Sequence, residues 1–170
     1  MPLKIKDIIW IPESGNLEKE RKWIEKEIKS TGIKKLQTLS IRASKAKGTA
    51  YTPYSKYNVG AALLRKSGKV DEGQNIEVVT YSETGHAEEQ AIKNAVSKGA
   101  VKEGGRKFIK AIAVSHAKDT APCGKCRQII VEFCDNALVI VADSKGTIKR
   151  ITSIKLLLPY AFTASDLRIK

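Results

Sequence analysis

Apolar residues recur along the chain at two spacings, and the switches between them mark out its elements. A charged stretch at 17–29 sets Leu17, Ile24 and Ile28 near one face among lysines and glutamates, which predicts an amphipathic helix. Before it lies the apolar run Ile8-Ile9-Trp10-Ile11, broken off by Pro12 and Ser14-Gly15. A second helix is predicted over 36–47, ended by Gly48. Residues 58–65 read as a strand, 66–69 as a tight turn, and 70–81 as a returning strand kinked near Gly73, together a hairpin. The pattern then turns helical over 83–98, where Ala87, Ala91, Ile92, Ala95 and Val96 form a small apolar face that stops at Gly99. Apolar runs at 108–114 and 137–142 suit buried strands, with a helix over 123–134 between them and a short one over 153–158 before Pro159. Strands alternating with helices after a hairpin predict an α/β protein whose mixed sheet is covered on both faces. Residues 1–35 read as an N-terminal extension packing on the core, and residues 36–170 as the main domain.

Composition narrows the picture in three respects. A chain of 170 residues with 42% hydrophobic content fits a single domain with a real core. No apolar run nears bilayer length, and Met1 to Lys6 is too short and lysine-interrupted for a secretory signal, so a cytoplasmic location without a membrane partner is expected. The three cysteines, two of them in one C-x-x-C, make no disulfide framework and leave metal or redox use of the pair. The net charge of +13 raises the question of a polyanionic partner. Its lysines are scattered, however, and alternate with glutamate through 17–30, the pattern of a solvated, ion-paired surface, which argues against nucleic acid.

The chemistry concentrates in His86-Ala87-Glu88 and Pro122-Cys123-Gly124-Lys125-Cys126, the H-x-E…P-C-x-x-C signature of zinc-dependent nucleobase deaminases. The proline ahead of the pair and the upstream His-x-Glu separate it from a thioredoxin-like dithiol. His86, Cys123 and Cys126 are the candidate zinc ligands, all at predicted helix starts, where the i, i+3 spacing sets both sulfurs on one side of a turn. Helix starts carry partial positive charge, which is expected to lower thiol pKa values. Two thiolates and a neutral imidazole balance Zn²⁺ and leave a fourth position for water, whose pKa falls on coordination from ~16 to roughly 7. Glu88 is the candidate proton carrier. The plainer reading is a structural zinc site with Glu88 as a surface carboxylate; against it stand the complete signature and its missing fourth Cys or His. His116 is a further conceivable ligand, read rather as a hydrogen-bonding residue at the end of a strand, and Cys134 as a core thiol.

Beyond these motifs, the run Tyr54-Ser55-Lys56-Tyr57-Asn58-Val59-Gly60-Ala61-Ala62-Leu63, the segment Gly73-Gln74-Asn75-Ile76-Glu77, the extension of the second motif through Arg127-Gln128, and the tail Leu157-Leu158-Pro159-Tyr160-Ala161-Phe162 with Asp166-Leu167 resemble the cytidine deaminase family over residues 36–167. The resemblance implies a three-layer α/β/α sandwich with a mixed sheet, one Zn²⁺ per subunit, and hydrolysis of cytidine or deoxycytidine to the uracil nucleoside and ammonia in pyrimidine salvage. It also implies that Asn75 and Glu77 hold the ribose hydroxyls, that Tyr57 packs against the base, and that the Ala87 backbone and Glu88 address the pyrimidine edge. Phe162, and with it Tyr54, would reach a neighbouring subunit's site in a homo-oligomer, a tetramer or a dimer.

The chain departs from that family's pattern in ways that bear on substrate. Where small members carry Cys-Ala-Glu-Arg, it has His86-Ala87-Glu88-Glu89; a neutral His-Cys-Cys zinc site needs no arginine to offset its charge. Tyr57 replaces the usual Phe, and Val78 the Asn that often follows the ribose-binding Glu, which redistributes pocket polarity. Three alternatives follow. Blasticidin-S deaminase shares the Pro-Cys-Gly-x-Cys-Arg-Gln run, though Glu77 favours a ribose ligand; a polynucleotide cytosine deaminase would use the basic charge; a zinc-stabilised binding module would leave Glu88 without purpose.

Overall fold

The computed structural model describes residues 5–10 and 17–167, and at its centre lies one mixed sheet. Strands β1 (Gly60–Arg65) and β2 (Val70–Gln74) form the predicted hairpin, and β3 (Ile109–Ser115), β4 (Leu138–Ala142) and β5 (Ile148–Ser153) complete the order β2-β1-β3-β4-β5. β1 is antiparallel to both β2 and β3, β3 and β4 are parallel, and β5 is antiparallel to β4.

Alternation along β1 divides the core in two. Ala61 and Leu63 join a cluster with helices α4 (Ala87–Ser97) and α6 (Gly124–Glu132), while Ala62 and Leu64 join one with α2 (Glu18–Thr31) and α3 (Ile33–Ala46) on the opposite face. Glycine sets the spacing of the layers at two points. A Cβ on Gly60 would collide with the Ala43 carbonyl of α3, and one on Gly73 with the Ala87 carbonyl and Ala91 nitrogen of α4. Both helices therefore lie flush on the hairpin. Ile24 and Ile28 of α2 are fully buried in the second cluster, as their spacing predicts, and the chain passes through Gly32 directly into α3. A first short helix α1 (Ile5–Ile8) leads to Trp10, whose N–H donates to the Ile151 carbonyl at 2.9 Å and caps the β5 edge. The predicted break at Pro12 and Ser14-Gly15 lies outside the described residues.

Several boundaries differ from expectation for local reasons. The returning strand ends at Gln74 rather than running to 81, because the next side chains turn to other work: Asn75 and Glu77 bind the segment 54–59. Residues 81–83 form a 3-10 turn, so α4 starts at Ala87 rather than 83. α5 (Ala100–Gly104) follows Gly99, whose φ of 81° ends α4 but lets a new helix begin at once. β5 escapes the apolar pattern because Lys149 and Arg150 are both exposed in mid-strand. The last helix, α7 (Ile154–Leu157), is capped by Ser153 Oγ, which accepts from the Leu156 N–H at 3.3 Å.

Candidate active site

The topology brings two helix starts to one end of the sheet. β2 and β3 run the same way on either side of β1, so the loops leaving their C-terminal ends deliver α4 and α6 side by side. His86 is the N-cap of α4 and Cys123 the N-cap of α6, both with extended backbone and neither spending its side chain on a cap hydrogen bond. Cys126 follows one turn on and is buried. His86 Nδ1 stands 3.4 Å from the sulfurs of both Cys123 and Cys126, and the three donor atoms all lie within 4.8 Å of one another. A tetrahedral zinc with ordinary Zn–N and Zn–S bonds requires an N···S separation of ~3.6 Å. The donor set therefore fits zinc with one position open.

Burial pushes the Cys126 thiol far up from its ordinary range, and the neighbouring Glu88 and Cys123 add to the shift. Of the three donors only Cys126 is buried, and a thiolate there calls for a cation beside it. Glu88 is 4% exposed, lies against Cys126, and is no member of the donor cluster.

The cluster forms one wall of a cleft of about 450 Å³, a size that suits a nucleoside-sized ligand. Tyr57, Asn75, Glu77, Ala87 and Glu88 all line it, together with His86 and Cys123. Of these, Asn75 and Glu77 also organise the wall. Asn75 Oδ1 accepts from the Val59 N–H and its Nδ2 donates to the Tyr57 carbonyl, both at 2.8 Å, which leaves one lone pair and one N–H to spare. The Glu77 carboxylate accepts from the Ser55 hydroxyl and from the Tyr54 and Ser55 N–H groups at 3.1 Å, and the Ser55 hydroxyl bond leads in holding its pKa below the usual carboxylate range. The Tyr57 hydroxyl lies 2.8 Å from His116 Nδ1.

His116 is no metal ligand: its Nε2 meets the Thr120 carbonyl at 2.7 Å, and Nδ1 accepts from the Lys118 N–H. It lines the cleft all the same, as do Ser55, Tyr81 and Thr84. Sequence reasoning passed over these last three. Thr84, two residues before His86, has its Oγ1 buried without a partner, and only its nearness to the motif could have drawn notice. Behind the ligands, Glu89 meets Lys93 Nζ at 2.7 Å and Lys125 Nζ at 3.0 Å. The Lys125 contact is an ion pair rather than an aligned hydrogen bond. Burial alone would raise the Glu89 pKa, but the two ammonium groups bring it down to about 2.

The tail is tied to the second motif. Arg127 donates to the Pro122 and Leu157 carbonyls at 2.6 and 2.9 Å, and Gln128 Nε2 to the Phe162 carbonyl at 2.7 Å. The Phe162 side chain is 58% exposed and lies outside the cleft, as does that of Tyr54 at 53%. Among the described residues no helix is long and apolar enough to cross a membrane.

A three-layer sandwich with a three-donor zinc site open to a cleft, and a buried carboxylate beside it, defines a metal-dependent hydrolytic enzyme. Residues 33–142 match the family model described as the cytidine and deoxycytidylate deaminase zinc-binding region. The cytidine deaminase of Sporosarcina psychrophila is 44% identical over 137 residues, spanning 78% of this chain and 94% of that protein. That of Halalkalibacterium halodurans is 42% identical, over 77% and 96% of the two chains. The crystal structure of cytidine deaminase from Burkholderia pseudomallei superposes with a TM-score of 0.67 at 37% identity, over 74% of this chain and 97% of that one. The chain belongs to the zinc-dependent cytidine and deoxycytidylate deaminase family.

Proposed function

We propose that the protein deaminates cytidine and deoxycytidine hydrolytically, releasing ammonia and the uracil nucleoside, with zinc held by His86, Cys123 and Cys126. The observation that carries this reading is the meeting of three zinc donors and the buried Glu88 in the wall of a nucleoside-sized cleft. Bound there, zinc supplies Lewis-acid activation of water. Glu88 takes one proton from the attacking water and passes it to the ring nitrogen next to the amino-bearing carbon, then takes the second from the hydroxyl newly bonded to that carbon and passes it to the departing amine. The carbon–nitrogen bond breaks as the new carbon–oxygen bond becomes the uracil carbonyl. The Ala87 N–H, one of the unpaired donors at the start of α4, holds the pyrimidine edge. Tyr57 packs on the base, while the spare hydrogen-bonding capacity of Asn75 and Glu77 takes the sugar hydroxyls.

The same reading assigns residues 36–170 to the catalytic domain and residues 1–35 to an extension packing on it, supported by a family match that begins at residue 33. It makes the enzyme a cytoplasmic homo-oligomer serving pyrimidine salvage, with Phe162 reaching a neighbouring subunit's cleft. The exposed rings of Phe162 and of Tyr160, which is wholly bare, support that assembly.

The test follows the ultraviolet absorbance of cytidine and deoxycytidine with the wild type and Glu88→Ala at equal zinc content. Turnover that collapses in the variant is the expected result. A zinc-loaded wild type inert on both nucleosides would overturn the reading and bring forward blasticidin-like or polynucleotide substrates.

A further inference from the structure

Glu89 stands where small members of the family carry arginine, and its partner Lys125 sits between the two zinc-binding cysteines. Neither belongs to the donor cluster. Lys125 is the second residue of α6, the end of a helix that disfavours a cation, so its place there calls for a compensating anion. Glu89, third residue of α4, provides it at 3.0 Å with its side chain only 14% exposed. The metal does not need the lysine as a counterion, because a His-Cys-Cys zinc site is already neutral.

Geometry gives the pair a purpose. His86 rides on α4 and the cysteines on α6, and zinc tolerates errors of only ~0.2 Å in its ligand distances. Among the described residues, Glu89–Lys125 is the one ion pair that joins these two helices; Glu89–Lys93 lies within α4 and cannot set one against the other. We propose that Glu89 and Lys125 are positioning residues, a latch that holds the starts of α4 and α6 in zinc-binding register and thereby sets how tightly zinc is kept.

This rests on zinc being the resident metal, and its test separates the two claims. Zinc-loaded full-length protein is challenged with a chromophoric chelator, and the affinity and release rate of zinc are measured for the wild type, Glu89→Gln, Lys125→Gln and the double variant. Each single variant is expected to lose about 10- to 100-fold in zinc affinity, the usual scale for outer-shell partners of metal ligands, and the double no more than the worse single. Lys93→Gln, which leaves the bridge between helices intact, and Lys125→Arg, which restores it, should stay within about threefold of the wild type. A merely structural pair would instead lower the melting temperatures of zinc-loaded and zinc-stripped protein alike and leave zinc affinity unchanged. Lys125→Gln within about threefold of wild-type affinity, or Lys93→Gln as damaging as Lys125→Gln, overturns the latch. Should Glu89→Gln fail to fold, Lys125→Gln decides alone, since that side chain is 46% exposed. A wild type that holds no zinc would sink the metal assignment itself.

Discussion

On one side of the cleft, His86, Cys123 and Cys126 hang from the first turns of two regular helices; on the other, Tyr57, Asn75 and Glu77 sit on irregular backbone. The helical side is held by the packing of α4 and α6 and keeps its functional atoms free of other partners. The irregular side is held by its own functional groups. Asn75 and Glu77 bind the 54–59 segment, and Lys56 within it takes a φ of 58°, a conformation side chains avoid. Asp119, at φ 49°, sits likewise in the loop running from His116 to Pro122. A reacting centre needs fixed distances, which helices supply, whereas a cleft that must fit a sugar and a base draws its shape from loops.

If that contrast is right, the two sides fail in different kinetic constants. Glu88→Gln should lower kcat by ~10²- to 10⁴-fold with KM little altered, because it removes the proposed proton carrier and leaves the wall intact. Glu77→Gln should act mainly through KM, raising it by ~10- to 100-fold, the equivalent of one lost charged hydrogen bond. Steady-state kinetics on cytidine decide; a Glu77 variant whose loss lies wholly in kcat would erase the distinction. Next in size is Asn75→Leu, which strips partners from a part-buried N–H and a part-buried carbonyl at once. Urea unfolding should register a loss of ~2–4 kcal/mol. A variant as stable as the wild type would show that the wall stands without its clamp.

Acid offers a finer probe of the same wall. The folded-state pKa of Glu77 is lowered, first by the Ser55 hydroxyl, so its contribution to stability is complete above the ordinary carboxylate value of about 4.3 and is lost as pH falls through the lower folded value. Thermal melts of the wild type and Glu77→Gln should therefore differ at neutral pH and converge at the acid end. Parallel curves down to the acid limit would mean that the carboxylate carries no charge-dependent bond.

These differences also explain what could be read from the chain alone. The sheet and its helices follow from local periodicity, and the zinc donors with Glu88 from a motif whose atoms are neighbours through two helix starts. Tyr57, Asn75 and Glu77 line the cleft. What escaped depends on contacts distant in sequence: β5 survives two exposed basic residues because it pairs with β4, and β2 stops at Gln74 because Asn75 is needed by Tyr57 and Val59. Thr84 and Tyr81 show no periodicity, and Lys125 meets Glu89 across 36 positions that no local pattern spans.

The smallest expected effect tests how the Tyr57 ring in the cleft wall is held. Nε2 of His116 faces the Thr120 carbonyl at 2.7 Å, so the network assigns the ring proton there. Nδ1 then accepts from the Lys118 N–H and from the Tyr57 hydroxyl at 2.8 Å. The imidazole thus couples Tyr57 to the loop that leads into Pro122 and Cys123, linking the two unlike sides of the cleft. Tyr57→Phe keeps the ring and removes only this tie, and should raise KM by ~2- to 5-fold. His116→Phe removes the other end. In a double-mutant cycle the two losses should overlap by about 1 kcal/mol, because a single hydrogen bond is deleted twice. Strictly additive losses would show instead that packing alone holds the Tyr57 ring, and that the two sides of the cleft are joined only through the sheet beneath them.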